Sequence, residues 1–497
     1  MKITLRLLSS STLALMVLLA GFSGCGKKTS SGPVLNPASA KTFDAVETHL
    51  DSGGDFYLYL RTEQVLAEVP AAMDEWKAAL VESAGKDLPL PPEQIDAYYA
   101  VARKAFLDLG LTQLRAFGMS GIELEPGLSR MRAIAYSGDE ASRGLLWRLG
   151  GVDAPHPFDA LDFLPATTAY AGFADFDPAV LWAFIQQIVA TIPDPKVQAQ
   201  AKGLPAMAEG LLGMPLADLF ASLDKEWGFV IVADEKETMT VPLGKGAATT
   251  MPRAAAALLI RVNDDKLYNL LATKVEGTIG AMMPVKKAEA NGVRSVTVQL
   301  PDSGLPLAPT IARFGKFVAI ATNGDIVQQL ARTGATPPAL MKDTPAFQRF
   351  AKLEKMEGNS FAYLSERGAD ILRTFQLQSF QTEPMPPALK AQVEKLYGEF
   401  SQKFVFSIGR LEKDGYATTS YSANGSKQLV AAAAIVPAAI IAAIAVPAVF
   451  EAKAKAAEAQ AAAKARSEAA AAAKAALDAS AADSTPPATD STAPAGN

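Results

Sequence analysis

This chain of 497 residues has one cysteine and two histidines. A single thiol cannot close an intramolecular disulfide, so the fold must rest on apolar burial and hydrogen bonding. A zinc site needs several nitrogen, sulfur or carboxylate ligands in one shell. Neither His49 nor His156 has a second histidine or a cysteine at ligand spacing. A Ser-His-Asp mechanism would have to use one of these two imidazoles, and no Gly-x-Ser-x-Gly elbow supplies a nucleophile. Both histidines read as surface residues, His156 in a loop between Pro155 and Pro157. Basic charge is also short. With 47 Lys and Arg against 52 Asp and Glu, the formal charge is −5, which does not point to nucleic acid as a partner.

What the chain does have sits first at its ends. Lys2 and Arg6 open a basic region, 12–20 is densely apolar, and Gly21-Phe22-Ser23-Gly24 precedes Cys25. Charge, apolar core and small residues before a cut form an export signal, residues 1–24. Its apolar core is shorter than the ~20 residues of a membrane span. The stretch ending at Cys25 resembles a bacterial lipobox. The resemblance implies that the Cys25 thiol receives a diacylglyceryl group and becomes the first residue of the mature chain, so Cys25 is the expected lipidation site. Two acyl chains, at ~0.8 kcal/mol per buried methylene, anchor a protein stably where one does not. Lys27 and Lys28 follow and can face anionic headgroups. Ser, Gly, Pro and Ala dominate up to Lys41, so residues 25–41 read as a flexible linker.

In the body one pattern recurs: a short apolar strand, a capping residue, an amphipathic helix. Phe56 to Leu60 leads to Thr62 and then Val65, Leu66 and Val69. Thr168 to Phe173 leads to Asp177-Pro178 and then Val180, Leu181, Phe184, Ile185 and Ile188. Ala257 to Val262 leads to Asn263-Asp264, and Phe361 to Leu364 leads to Ser365. Such side chains accept bonds from the free amides of a first helical turn, and proline suits its first position. The first and third strands start about 200 residues apart, as do the second and fourth. Strand-like runs lie between them at 114–124, 130–136 and 144–149, then at 293–300, 310–314 and 317–321. Runs 227–233 and 404–411 close the two halves. The last pairs with 416–422 across Lys413-Asp414-Gly415, where Asp-Gly signals a hairpin. Ile95, Tyr98, Tyr99, Ala102, Ala105 and Phe106 share one helical face, as do Leu389, Val393, Leu396, Tyr397 and Phe400.

The fold expected is α+β: two related domains, 42–235 and 236–426, each a mostly antiparallel sheet with packed helices. A transmembrane-like helix follows. This arrangement resembles uncharacterised bacterial envelope proteins built from repeated strand–helix units. The resemblance implies an extracytoplasmic location and no known catalysis.

Other local motifs are weak. Ser83-Ala84-Gly85-Lys86 has Ser-x-x-Lys spacing, but Gly85 reads as a helix end. Gly244-Lys245-Gly246 lacks the rest of a phosphate loop. Asp175 and Asp177 are close enough in sequence to share calcium, but no EF-hand loop pattern follows and Asp177 fits better as a helix cap.

From Leu429 to Phe450 (429–450) no residue is charged. As a helix rising about 1.5 Å per residue it would be ~33 Å long, matching a ~30 Å hydrocarbon core. Pro437 should kink it. Ile440 to Phe450 is similar to the apolar helix of type IV pilins, but lies at the carboxy end and lacks their processed leader. Residues 451–482 are Ala-rich and should continue as helix. Their excess of Lys and Arg beside a span favours the cytoplasmic side. Residues 483–497 have the composition of a disordered tail.

These readings converge on the cell envelope. The chain is expected to be lipid-anchored at Cys25 and to span the inner membrane with Leu429 to Phe450, its body periplasmic or extracellular. If the run does not span, the lipid leads to the outer membrane instead. The function expected is a non-enzymatic scaffold or binding module without a cofactor or metal. Its partners are membrane lipid, through Cys25 acylation and the 429–450 helix, and an envelope protein. One alternative is a carrier or sensor of an apolar ligand such as lipid. Another is a hydrolase whose carboxylate site carries no sequence motif.

Overall fold

A computed structural model describes residues 37–84, 92–138, 144–150, 154–244, 247–300, 307–333, 338–381 and 403–425. Cys25, the 1–24 signal, most of the 25–41 linker, the stripe from Leu389 to Phe400, the apolar run 429–450 and the tails 451–482 and 483–497 lie outside these residues. The chain divides into two compact units, Met1–Ala45 and Val46–Asn497. The described part of the first, 37–45, is helical; every described strand belongs to the second.

After α1 (Pro37–Glu47), β1 (Phe56–Arg61) runs into α2 (Glu63–Ala84) and α3 (Pro92–Leu109). A hairpin of β2 (Ala116–Glu125) and β3 (Leu128–Tyr136) precedes α4 (Leu145–Leu149) and the two-residue β4 (His156–Pro157). β5 (Thr168–Asp175) leads into three helices, α5 (Pro178–Ala190), α6 (Pro195–Leu212) and α7 (Leu216–Ser222). A long hairpin follows, β6 (Leu223–Gly244) with β7 (Ala247–Val262). Then come α8 (Lys266–Lys274), β8 (Val285–Ala290), β9 (Val293–Val298), β10 (Thr310–Phe314) and β11 (Phe317–Ala321). α9 (Gly324–Ala331), α10 (Pro345–Ala351) and β12 (Glu357–Gly358) lead to β13 (Ser360–Leu364). α11 (Glu366–Gln381), β14 (Val405–Glu412) and β15 (Gly415–Ser422) complete the described chain.

Local chemistry explains several of these starts. Asp177 caps α5 by accepting from the amides of Ala179 and Val180, with Pro178 at the first position. Ser365 Oγ accepts from Gly368 N in the first turn of α11. Thr62 does not cap: its hydroxyl donates to the Leu114 carbonyl and pins the start of α2 to the turn that precedes β2. Asn263 likewise donates to the carbonyls of Ala221 and Leu223, while Asp264 accepts from Lys266 N. Residues 144–149, expected as a strand, hold helix α4, anchored by a bond from Trp147 Nε1 to the Gly110 carbonyl.

Thirteen strands form one sheet in the order β1-β2-β3-β15-β14-β13-β5-β6-β7-β11-β10-β9-β8. Every pairing in it is antiparallel. β4 and β12 form a separate two-stranded pair. Strands from 42–235 and from 236–426 share this one sheet, and position 235 falls inside β6. The two stretches meet at three ladders, β3 with β15, β5 with β13 and β6 with β7; in the central one Ala174 is opposite Ser360, Gly172 opposite Ala362 and Tyr170 opposite Leu364. Outward from that joint the order is β13, β14, β15, β3, β2 on one side and β5, β6, β7, β11, β10 on the other.

The middle strands are apolar on both faces, as strands covered on both sides must be. On one face Phe173, Val230, Leu259, Ala319, Phe361, Phe406 and Tyr421 join the main core, beneath the 158–164 segment, α9 and α10. On the other, Val262 and Val318 pack with Leu267 and Tyr268 of α8, and Leu364 and Val405 pack with Ala369 of α11. Gly228 stands opposite Phe173, where any Cβ would collide with the ring. That space lets Phe173 stack on Phe361 across the joint, with ring centres 5.3 Å apart. β8 escaped the sequence pattern because it is an edge strand whose exposed positions include Lys286, Lys287 and Glu289.

Phe406 is 1% exposed and stacks on Phe350 at 5.0 Å. Truncation to alanine should cost about 3–5 kcal/mol. In urea unfolding of Phe406→Ala, the circular dichroism and tryptophan transitions should shift together, since one sheet links both chain halves. Separate transitions would count against a shared sheet.

Candidate functional site

A buried polar cluster lies at the Asp175 end of the joint. β5 and β6 place Asp175 directly opposite Glu226. Their side chains are 3% and 2% exposed. Like charges facing each other across a buried ladder repel, so each acid must be balanced separately.

Asp175 lies 3.0 and 3.1 Å, through its two oxygens, from His156 Nε2. It also accepts from Asn359 Nδ2 at 3.0 Å. His156 Nδ1 lies 2.9 Å from the Pro157 carbonyl. A carbonyl and a carboxylate only accept, so these contacts favour a ring that donates from both nitrogens. Burial lowers the His156 pKa, but the Pro157 carbonyl and the Asp175 carboxylate outweigh it, and the net shift is upward. Asn359 completes the tie by accepting from Leu411 N at 2.7 Å, which carries the link to β14.

Glu226 behaves differently. Burial pushes its pKa up to about 7, and Asp159 adds to the rise. The Ala160 amide, at 3.4 Å, and the Arg261 guanidinium, at 3.4 Å, oppose it. Arg261 also lies 3.0 Å from Asp224 and 3.3 Å from Asp159. The pair is thus split into one acid in contact with His156 and one whose pKa burial raises to about 7. Split pairs of this kind can serve acid–base chemistry when a substrate reaches them. Here both carboxylates are sealed, and the network clamps the β4 segment over the sheet joint.

His156 is therefore no free loop histidine: β4 pairs with β12 and its ring is committed to Asp175. His49 is not a plain surface residue either. Its ring is 16% exposed and lies between two acids, with Nδ1 3.4 Å from Glu412 and Nε2 3.2 Å from Asp414. These three residues offer one ligand atom each within 4.8 Å of one another. The two acids take different ring nitrogens, so the imidazole bridges them, and a divalent cation would have to displace that bridge. Asp175 and Asp177 are engaged separately: the first lies against His156 and the second caps α5. Ser83 sits in the last turn of α2, with Gly85 and Lys86 outside the described residues. Gly244 ends β6, and residues 245–246 lie outside the described residues.

Sequence reasoning missed Glu226, Asn359 and Arg261. For Glu226 a signal existed. It shares strand parity with Gly228, Val230 and Val232, which places an acid on the apolar face of β6. Arg261 carries the same mark, sharing strand parity with Ala257 and Leu259 of β7, whereas Asn359 carries none.

A second feature is apolar. α5 contains no charged residue. On α6, Leu204 is 58% exposed, Met207 57% and Leu211 72%, at the seam spacing of a helix that docks against something. Between α5 and α6 runs a groove of about 550 Å³, walled by Trp182, Ile185, Val189, Leu204, Pro205 and Leu216. Ala201 and Ala208 also line it, and their small side chains leave the gap open. Among the described residues no single helix is long and apolar enough to cross a membrane; α6 with α7 has the length and composition only across a 68° bend. Compared with known proteins, the chain matches no family, no curated protein and no solved structure.

The network generates a pH dependence with a definite sign. Glu226 and His156 both hold their proton more tightly folded than unfolded. Their contribution is full at low pH and is lost as pH rises through the folded values. Raising pH from about 5 to about 8 should cost up to roughly 3 kcal/mol from Glu226. Thermal melts of Glu226→Gln should show a flatter profile and higher stability than the wild type at about pH 8. An unchanged slope would mean that Glu226 is ionised throughout.

Proposed function

We propose that this chain is a membrane-anchored extracytoplasmic lipoprotein of the cell envelope whose body acts as a non-enzymatic binding module. The observation that carries this reading is the exposed apolar surface of α5 and α6, formed by Ile185, Leu204, Met207 and Leu211. Soluble proteins rarely leave such surface uncovered unless it binds something. In this reading Cys25 is acylated, the 429–450 helix spans the inner membrane, and the periplasmic body presents this surface to an envelope component. If that helix does not span, the acyl chains hold the protein at the outer membrane. The mirrored strand order about the β5–β13 joint sets β5, β6, β7, β10 and β11 against β13, β14, β15, β2 and β3, each set a strand, a helical excursion and two hairpins; it supports two related units that share one sheet and cut across 42–235 and 236–426. A hydrolytic reading has one observation in its favour, the raised pKa of Glu226; the burial of that acid weighs against it.

Fractionation tests the anchoring. Cys25→Ala should abolish labelling by radioactive palmitate yet leave the chain in the membrane pellet. The same substitution with the chain ended after Gly425 should release the body to the soluble fraction. Label that survives in Cys25→Ala contradicts the lipid assignment, and a soluble single variant contradicts the span. Cross-linking in intact cells, followed by affinity recovery and mass spectrometry, should return an envelope component, lipid or protein. Leu211→Glu should lose it, and recovery of none from the wild type contradicts the binding-module reading.

A further inference from the structure

We propose that the groove between α5 and α6 binds a long-chain monocarboxylate, its acyl chain lying between the helices and its carboxylate received by Lys202. The inference rests on the binding-module reading and names the ligand class for it. The groove is formed by sequence. Ala201, Pro205 and Ala208 of α6 lie at the i, i+4 and i+7 positions facing α5 and provide little bulk. Trp182, Ile185 and Val189 supply the apolar wall from α5. Asp194 and Pro195 fix the start of α6, and Gly213, at φ 79°, ends it so that Leu216 closes one end. The volume of about 550 Å³ lies within the ~300–1,000 Å³ of small-molecule sites, which are mostly apolar with a few placed polar groups.

Those polar groups are Gln186 and Lys202. Lys202 Nζ donates to Gln198 Oε1 at 2.9 Å, and no carboxylate among the described residues pairs with it. The acids nearby are committed. Glu209 accepts from Leu216 N, and Asp194 accepts from Lys196 and Val197 N. One cation beside one apolar channel complements one acyl chain with a single anionic end. A neutral chain would leave the ammonium without a counter-charge.

Dibrominated stearate provides the test, because bromine quenches nearby tryptophan and Trp182 lines the site. The full mature chain is held in phosphatidylcholine nanodiscs and titrated with the brominated acid. Quenching should saturate near one equivalent per chain and vanish in Trp182→Phe. Leu204→Glu changes an exposed residue and should weaken binding at least ~tenfold by placing a charge in the channel. Lys202→Gln should weaken the acid about threefold and leave its methyl ester unaffected. Quenching that rises linearly without saturation, or equal binding by Leu204→Glu, would overturn the proposal. So would quenching of Trp182 by brominated phosphatidylcholine alone, which would identify bilayer lipid as the occupant. The cell-derived material separates the two levels. If a protein but no fatty acid is recovered in a Leu204-dependent way, this assignment fails and the binding-module reading stands. If neither is recovered, both fail.

Discussion

The pairing of β5 with β13 is the contact on which the rest of the molecule depends. These strands come from opposite halves of the chain, and their ladder makes one sheet of thirteen strands. Without it β5 and β13 would each present an open edge flanked by large aromatic residues, a template for aggregation. With it, Phe173 and Phe361 stack across the seam and the main core continues through both halves. The cost is a loop closure over more than half of the described chain, and such non-local pairing is intrinsically slow to form.

The His156 network reinforces the same seam. Asn359 and Asp175, 184 residues apart in sequence, are joined by a buried hydrogen bond. His156 lies across them from the β4–β12 pair, and Arg261 ties Glu226 to the outer acids. Buried polar networks of this kind contribute little net stability but punish alternative arrangements, because any slip leaves a charge unpaired. A one-residue slip of β5 against β13 would also turn the Phe173 ring away from the core. The clamp therefore specifies register where the apolar strands alone would tolerate error.

Much of this was legible in the sequence where residues alternate cleanly. β10 and β11 end where the pattern ended, at 310–314 and 317–321, and the Asp-Gly turn joins β14 to β15 as expected. The caps at Asp177 and Ser365 were legible because the side chain, the proline or serine and the following helix are neighbours in the chain. What failed was non-local or disguised. The segment 144–149 is as apolar as a strand, and only its docking onto Gly110 makes it helix. β8 presents charge to solvent and lacks alternation. The sharing of one sheet by both halves could not be read, since period-two patterns fix which face a residue takes, not which strand lies beside it. The partners of the histidines, at Asp175, Glu412 and Asp414, are remote in sequence for the same reason.

The seam can be tested with a single covalent bond. Ala174 and Ser360 are opposed between two hydrogen-bonded pairs, the close cross-strand spacing that accepts a disulfide. The chain's one native thiol is Cys25. In a Cys25→Ser background, Ala174→Cys with Ser360→Cys should oxidise to an intramolecular bond, seen as a disulfide-linked pair of peptides after proteolysis. Free thiols at both positions, or a bond formed only between molecules, would contradict the β5–β13 pairing.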